Sequence, residues 1–147
     1  MNLSKVYLRE ATMDDKDLLF DWTNDPVVRS ESFHSEEISY EEHSKWFDRI
    51  MSDENELQFV LVSGDEDIGQ ARLTIEDGNA VVSYSIAPDN RGQGFGTEVI
   101  RLLQEEARKN SRIHRLVAQV KSSNIASMKC FEKSGFTEEY RQYTWIY

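Results

Sequence analysis

The chain has 147 residues, 39% of them hydrophobic and 30% charged, with a net charge of −10, the composition of one soluble globular domain with a sizeable core. No apolar run approaches the roughly 18–20 residues of a bilayer span, and so acidic a chain excludes non-specific nucleic-acid binding, which requires phosphate neutralisation. Cys130 is the single cysteine, so no internal disulfide forms; residues 1–5 lack a secretory pattern, and a reducing, cytoplasmic setting is expected. Three histidines without cysteine or paired-carboxylate spacing predict no metal site, and the lack of a long apolar run predicts no membrane partner.

Residues 5–9 read as a first strand, with Val6 and Leu8 on one face and Tyr7 on the other. Thr12 caps a helix whose first turn carries Asp14 and Asp15, and Leu18, Leu19 and Trp22 recur at helical spacing until Asn24-Asp25-Pro26 ends it. Residues 27–35 look irregular. Ser39 opens a second helix striped by His43, Trp46, Phe47 and Ile50. Residues 57–63 and 68–76 alternate and form a hairpin, and Asp77-Gly78-Asn79 turns into a third strand over 80–87. A long helix follows from Thr97, with Val99, Ile100, Leu103 and Ala107 as its buried stripe. Residues 115–120 form a strand, Asn124 caps a last helix striped by Ile125, Met128 and Phe131, and Gly135 stops it. The aromatic, alternating stretch 136–145 reads as one or two further strands. Antiparallel strands that end in β–α units predict a mixed sheet, with helices on both faces as a three-layer α/β sandwich. The whole is expected to be a single domain over 1–147.

Between the third strand and the long helix lies Arg91-Gly92-Gln93-Gly94-Phe95-Gly96. Strand, glycine turn and helix start together make a phosphate cradle, because backbone N–H groups converge at the positive end of the helix dipole. The equally available reading is a tight turn with glycines for packing. Charge favours the first reading: residues 1–70 carry 18 acidic and 6 basic side chains, and residues 71–147 carry 9 and 11.

The stretch from Tyr84-Ser85-Ile86-Ala87-Pro88 through Gly96 resembles the acetyl-CoA motif of the GCN5-related N-acetyltransferase (GNAT) superfamily. Asn124-Ile125-Ala126-Ser127-Met128-Lys129-Cys130-Phe131-Glu132-Lys133-Ser134-Gly135-Phe136 resembles its second motif. The resemblance implies a GNAT-type sandwich, with a central, mostly antiparallel sheet of six to seven strands flanked by about four helices. It implies acetyl-CoA as co-substrate, held by Ser85, Ile86, Ala87, the loop Arg91, Gly92, Gln93, Gly94, Phe95, Gly96 and Thr97, and by Asn124, Ser127, Phe131 and Lys133. Residues 57–136 would form this donor core and residues 1–56 the acceptor side. Phe131 stands where many members carry a proton-donating tyrosine, and Gln119 where some carry a glutamate base. The remaining base candidates are His43, His34 or a water held by Ser83, Tyr84 or Ser85, with His43 first.

Trp22, Asn24, Val28 and Arg29, followed by Phe33, His43 and Trp46-Phe47, resemble the pattern of acetyltransferases acting on nucleotide-linked amino sugars. The first part is also similar to ribosomal-protein N-terminal acetyltransferases. This resemblance implies Trp22, Asn24, Arg29, Phe33, His43 and Trp46 as acceptor contacts, with Arg29 gripping a phosphate and Phe33 stacking. His43 equally suits a core histidine. The expected activity is direct acetyl transfer to the primary amine of a small molecule, a nucleotide-linked amino sugar first and a peptide α-amine second. A non-catalytic CoA-binding module is the reading from another class. The aromatic tail fits a homodimer, or packing at the sheet edge.

Overall fold

A computed structural model describes residues 5–147; the leader reading over residues 1–5 thus falls almost wholly outside the described residues. Five strands form one sheet in the order β1 (Val6–Glu10), β2 (Glu56–Ser63), β3 (Glu66–Glu76), β4 (Asn79–Ile86), β5 (Arg115–Ala118). The first four pair antiparallel and β5 lies parallel to β4. Five helices surround it: α1 (Lys16–Thr23), α2 (Pro26–Glu31), α3 (Tyr40–Ser52), α4 (Phe95–Arg108) and α5 (Ile125–Lys133).

Alternation along the strands decides the layers. Phe59 and Leu61 of β2, Ala71, Leu73 and Ile75 of β3, and Ala80 and Val82 of β4 pack with Val99, Ile100 and Leu103 of α4 and Phe131 of α5. On the other face Val60 and Val62 meet Ala11 and Leu19, with Trp22 at the margin. Side chains such as Phe47, Leu19 and Leu103, fully buried here, each contribute about 1.5–3 kcal/mol over an exposed position. The entry to α1 is fixed electrostatically. Asp15 accepts the Thr12 N–H at 2.8 Å and grips Arg9 through two bonds of 2.8 and 2.9 Å, while Arg9 also reaches Asp67. The Arg9 guanidinium holds the Asp15 carboxyl below the usual carboxylate range.

Three expectations are corrected. Residues 26–31 are helical, because Asp25 accepts the Val27 and Val28 N–H groups at 3.1 and 3.2 Å and Pro26 occupies the first helical position. The proline that ends α1 therefore starts α2, a place where its missing N–H costs nothing. Among the described residues there are five strands rather than six to seven, and five helices rather than about four. The difference in strands lies at the C-terminus, since 136–145 forms none. Alternation favours an extended backbone, but a strand needs a partner ladder and a surface to cover. Phe136 finds one, edge-to-face on Phe131 at 5.0 Å, and Glu139 takes Arg115 at 3.2 Å. Beyond them Tyr140, Tyr143, Trp145, Ile146 and Tyr147 are exposed.

Candidate active site

The parallel pairing of β4 with β5 covers only residues 79–82 against 115–118. Beyond Val82 the strands part, and residues 83–86 keep β3 as their one neighbour. A V-shaped gap therefore opens in the sheet, with backbone groups of β4 available along one wall. Gly69 of β3 supports that wall: a Cβ there would stand 2.6 Å from the Ser85 carbonyl oxygen.

At the end of β4, Ala87 is buried and its N–H donates to the Ile68 carbonyl at 2.8 Å. A short 3-10 turn, Pro88–Asn90, then leads into the glycine loop. Gly92 and Gly94 have φ of 76° and 84°, and a Cβ on either would meet nothing within 4 Å. Their glycines answer a backbone demand, not a steric one. Gly94 is the N-cap of α4. The N–H groups from Gly92 to Thr97 donate to no backbone acceptor among the described residues. Left-handed glycines, unspent N–H groups and the positive end of α4 together fit an anionic group. This is the fit that the pyrophosphate of CoA requires. Among the described residues no cluster of His, Cys, Asp or Glu gathers to hold a metal ion.

The floor of the gap comes from α5. Asn124 caps it by accepting the Ser127 N–H at 3.1 Å. The Ser127 hydroxyl shares a 2.8 Å hydrogen bond with the Tyr84 hydroxyl, and the Tyr84 ring lies edge-on to buried Phe131. Burial pushes the Tyr84 phenol pKa up, partly offset by Ser127. Gly96 permits close packing here, because a Cβ would sit 3.1 Å from Cys130 Sγ and 3.6 Å from Tyr84 Oη. Thr97 Oγ1 meets the same sulfur at 3.5 Å. Lys129, Lys133 and Gln119 are exposed. The even residues of β4 face this floor, whereas Ser83 and Ser85 face the other side of the sheet, the side of α1–α3.

The residues of the acceptor-side pattern prove to be gathered for building. Asn24 bridges to Ile38 with two bonds of 2.7 and 2.8 Å, pinning the α2–α3 loop. Arg29 donates to the carbonyls of Thr23 (2.8 Å), His34 (2.9 Å) and Glu36 (3.3 Å) and to Ser32 Oγ (3.3 Å). Its guanidinium is spent on shaping that loop. His43 is buried, bonded through Nε2 to the Lys16 carbonyl at 2.8 Å and packed among Phe20, Trp46 and Phe47. Burial holds its pKa below the ordinary histidine value. Trp46 carries the Arg72 guanidinium over its ring at 5.0 Å. Phe33, 63% exposed, stands free on the loop these residues shape. The structure does not bring His43 to Ser85 or Tyr84: His43 belongs to the layer of α1 and α3, Tyr84 to the opposite one.

Two tethers escaped the sequence reading. Arg91 of the glycine loop pairs with Asp25, the N-cap of α2. Lys121, just past β5, donates to the Ser30 carbonyl of α2 at 3.1 Å. Helix α2 therefore spans from one lip of the gap to the other. The two surface depressions of about 180 and 330 Å³ share Glu10, Leu57 and Phe59. They lie at the opposite end of the sheet and take no part in this site.

Comparison with known proteins adds the following. The protein-family model described as the acetyltransferase (GNAT) domain matches residues 5–137. The uncharacterized protein MJ1062 of Methanocaldococcus jannaschii is 26% identical over 98% of this chain and 31% of its own length. The probable N-acetyltransferase YjcK of Bacillus subtilis is 29% identical over 77% of this chain and 65% of its own. The chain thus spans less than two thirds of either relative. Among solved structures, a domain from M. jannaschii superposes with a TM-score of 0.83 at 23% identity, covering 95% of this chain and 92% of that one. A spermidine N-acetyltransferase from Vibrio cholerae, in complex with CoA and spermine, gives 0.85 at 23% identity over 92% and 82%. The aminoglycoside acetyltransferase AAC(6')-Ib with coenzyme A gives 0.81 at 20% identity over 92% and 86%.

Proposed function

The chain belongs to the acetyltransferase (GNAT) domain family, and we propose that this acetyl-CoA-dependent acyltransferase domain acetylates the primary amine of a small amino sugar, carried on a nucleotide. The observation that carries the acceptor reading is the loop between α2 and α3. Asn24 and Arg29 spend their polar groups on its backbone, so the pattern shared with amino-sugar acetyltransferases encodes the shape of an acceptor wall. That wall offers exposed Phe33 for stacking on a base or sugar. With Arg29 engaged, a phosphate grip from that residue is no part of the proposal. The spermidine and aminoglycoside enzymes of the same fold support a small polar amine in general.

The chemistry follows from the gap. Acetyl-CoA supplies an activated thioester. The amine nitrogen attacks the carbonyl carbon, the C–N bond forms and the C–S bond breaks, the amine loses a proton, and CoA leaves as thiolate and is protonated. Positioning alone can supply about 7–11 kcal/mol of such a barrier. The loop from Arg91 to Thr97 and the free edge of β4 hold the donor. The Tyr84–Ser127 hydroxyl pair, on the α5 side of the gap, is the proton source for the thiolate in place of the tyrosine that Phe131 replaces. Burial favours the neutral phenol of Tyr84, which carries the proton to be given. A thiol near pKa 8.5 needs little help, so this contribution is modest. The lone Cys130 suits a reducing, cytoplasmic setting, and the exposed aromatic tail suits a homodimer.

Thiol release measured over a panel of UDP-linked 4-amino sugars, free amino sugars, spermidine, an aminoglycoside and a peptide α-amine tests the reading. Turnover is expected to be fastest with the nucleotide-linked sugar. Faster turnover of spermidine or of the peptide would overturn the acceptor class. Acetyl-CoA binding without turnover on any amine would make the domain a CoA-binding module.

A further inference from the structure

One row of side chains across the sheet runs from closed to open. Gln58 of β2, Arg72 of β3 and Ser83 of β4 stand opposite one another in register, so they share the face that carries α1–α3. Gln58 is buried, and its amide donates to the Phe59 and Ala71 carbonyls at 3.2 Å each. The Arg72 side chain is 24% exposed, and Ser83 is exposed outright. Ser83 is also the first residue of β4 beyond its pairing with β5. Arg72 therefore lies on the strand beside the vertex of the gap, at the margin of the cover that Trp46 of α3 provides.

The guanidinium at that place is fixed but not spent. Its carbon stands 5.0 Å from the centre of the Trp46 ring. Glu56 approaches Nε at 3.5 Å while accepting the Thr74 hydroxyl at 2.7 Å. That approach completes no hydrogen bond, and Nε is shielded from solvent without a partner. Nη1 and Nη2 also donate to no acceptor among the described residues, but neither is shut away from solvent. Arg9, Arg29 and Arg91, by contrast, spend their donors on carboxylates or backbone carbonyls. Burial lowers the Arg72 pKa, Glu56 offsets part of this, and the Arg49 charge adds to it. We infer that Arg72 receives an anionic oxygen group of the acceptor through Nη1 and Nη2, the diphosphate where the amino sugar is carried on a nucleotide. The planar fork matches phosphate geometry, and the aromatic face beneath holds it ready. An anion there would restore the support that burial takes from the charge. This inference rests on the nucleotide-linked reading of the acceptor, and it supplies the cation that Arg29 does not.

The test uses the full chain with Arg72→Met, which keeps an apolar stem on Trp46, and Arg72→Lys, which keeps the charge without the fork. KM and kcat are measured for a UDP-linked 4-amino sugar and for the same sugar unlinked, beside acetyl-CoA affinity. In Arg72→Met, KM for the linked sugar is expected to rise about ten- to a hundred-fold, the scale of a charge-assisted hydrogen bond. KM for the unlinked sugar and acetyl-CoA affinity should stay within about two-fold, with Arg72→Lys between the wild type and Arg72→Met. A smaller rise for the linked sugar overturns the inference. An equal rise for both sugars assigns Arg72 a structural role, and overturns it also. Where Arg72→Met does not fold, Arg72→Lys decides by the same comparison of the two sugars. Should the wild type turn over a different amine instead, the acceptor reading falls by itself, and UDP and inorganic phosphate are tested as inhibitors against that amine. Inhibition that weakens about ten-fold or more in Arg72→Met supports an anion site at Arg72, and a smaller change or no inhibition overturns it. Should no amine be turned over, calorimetric binding of UDP to the wild type and to Arg72→Met gives the same decision.

Discussion

The tether between Arg91 and Asp25 joins the glycine loop to the start of α2, and it can be taken apart. A single carboxylate oxygen, Asp25 Oδ2, accepts from the Val27 and Val28 N–H groups and from the Arg91 guanidinium. Asp25→Asn keeps an N-cap acceptor but discards the charge, whereas Asp25→Ala discards both. Because the Arg91 side chain is 31% exposed, the ion pair should contribute only about 0.5–1 kcal/mol. The cap adds about 1 kcal/mol. Asp25→Asn is therefore expected to cost under about 1 kcal/mol, and Asp25→Ala about 1.5–2. Helix α2 has six residues, far below the roughly 12–15 that hold a helix together alone. Loss of its cap should loosen it locally before the domain unfolds. The readouts are urea unfolding, hydrogen exchange at residues 27–31, and KM for the amine, run as a double-mutant cycle with Arg91→Ala. The cycle should show a coupling of about 0.5 kcal/mol or more, and amine KM should climb more in Asp25→Ala than in Asp25→Asn. Additivity within about 0.3 kcal/mol, with undisturbed exchange over α2, would refute the tether.

Further predictions concern the loop and the layers on either side of it. Gly94→Ala places a Cβ in open space at φ 84°, so it should cost about 1–2 kcal/mol of backbone strain, or an equal loss of acetyl-CoA affinity if the loop relaxes instead. Gly94→Asn should be milder, and calorimetric titration against acetyl-CoA checks both. Since burial lowers the His43 pKa, its contribution to stability is complete above about pH 6.5, the unfolded value, and is lost as pH falls from there through the folded value. His43→Leu should flatten that acid limb in unfolding experiments. If the substitution instead removes a limb of the pH–rate profile with stability unaltered, His43 is the base after all. Tyr84→Phe should lower kcat by about two- to ten-fold while sparing acetyl-CoA affinity, a small effect because the thiol is a good leaving group; a hundred-fold loss would assign Tyr84 a larger share of the chemistry, and no loss would remove it from the mechanism.

Much of the donor side was legible because its signals are local. The glycines at 92 and 94 are required by φ angles of 76° and 84°, Asn124 caps α5 through its own neighbour Ser127, and helix periodicity places Val99, Ile100 and Leu103 in the core. On residues 22–46 the sequence is less decisive, because a residue type there admits two uses. An arginine at 29 suits a phosphate grip by type, but carbonyls five and seven residues along the chain take its donors. His43 lay open between cleft and core, and the Lys16 carbonyl, 27 residues away, holds it in the core. Proline at 26 signals a stop in sequence and proves also to be a start.

The sequence by itself determined the elements, apart from α2 and the tail, and the glycine turn at residues 91–96, because caps, turns and periodicity act over a few residues. Only the tertiary structure decided that α2 bridges the gap, that Arg91 serves Asp25 across 66 residues, and that Tyr84 meets Ser127 across 43. Pairings at such separations follow from strand order and layer packing. They leave no periodic trace in the chain, because each partner taken singly looks like any exposed polar residue.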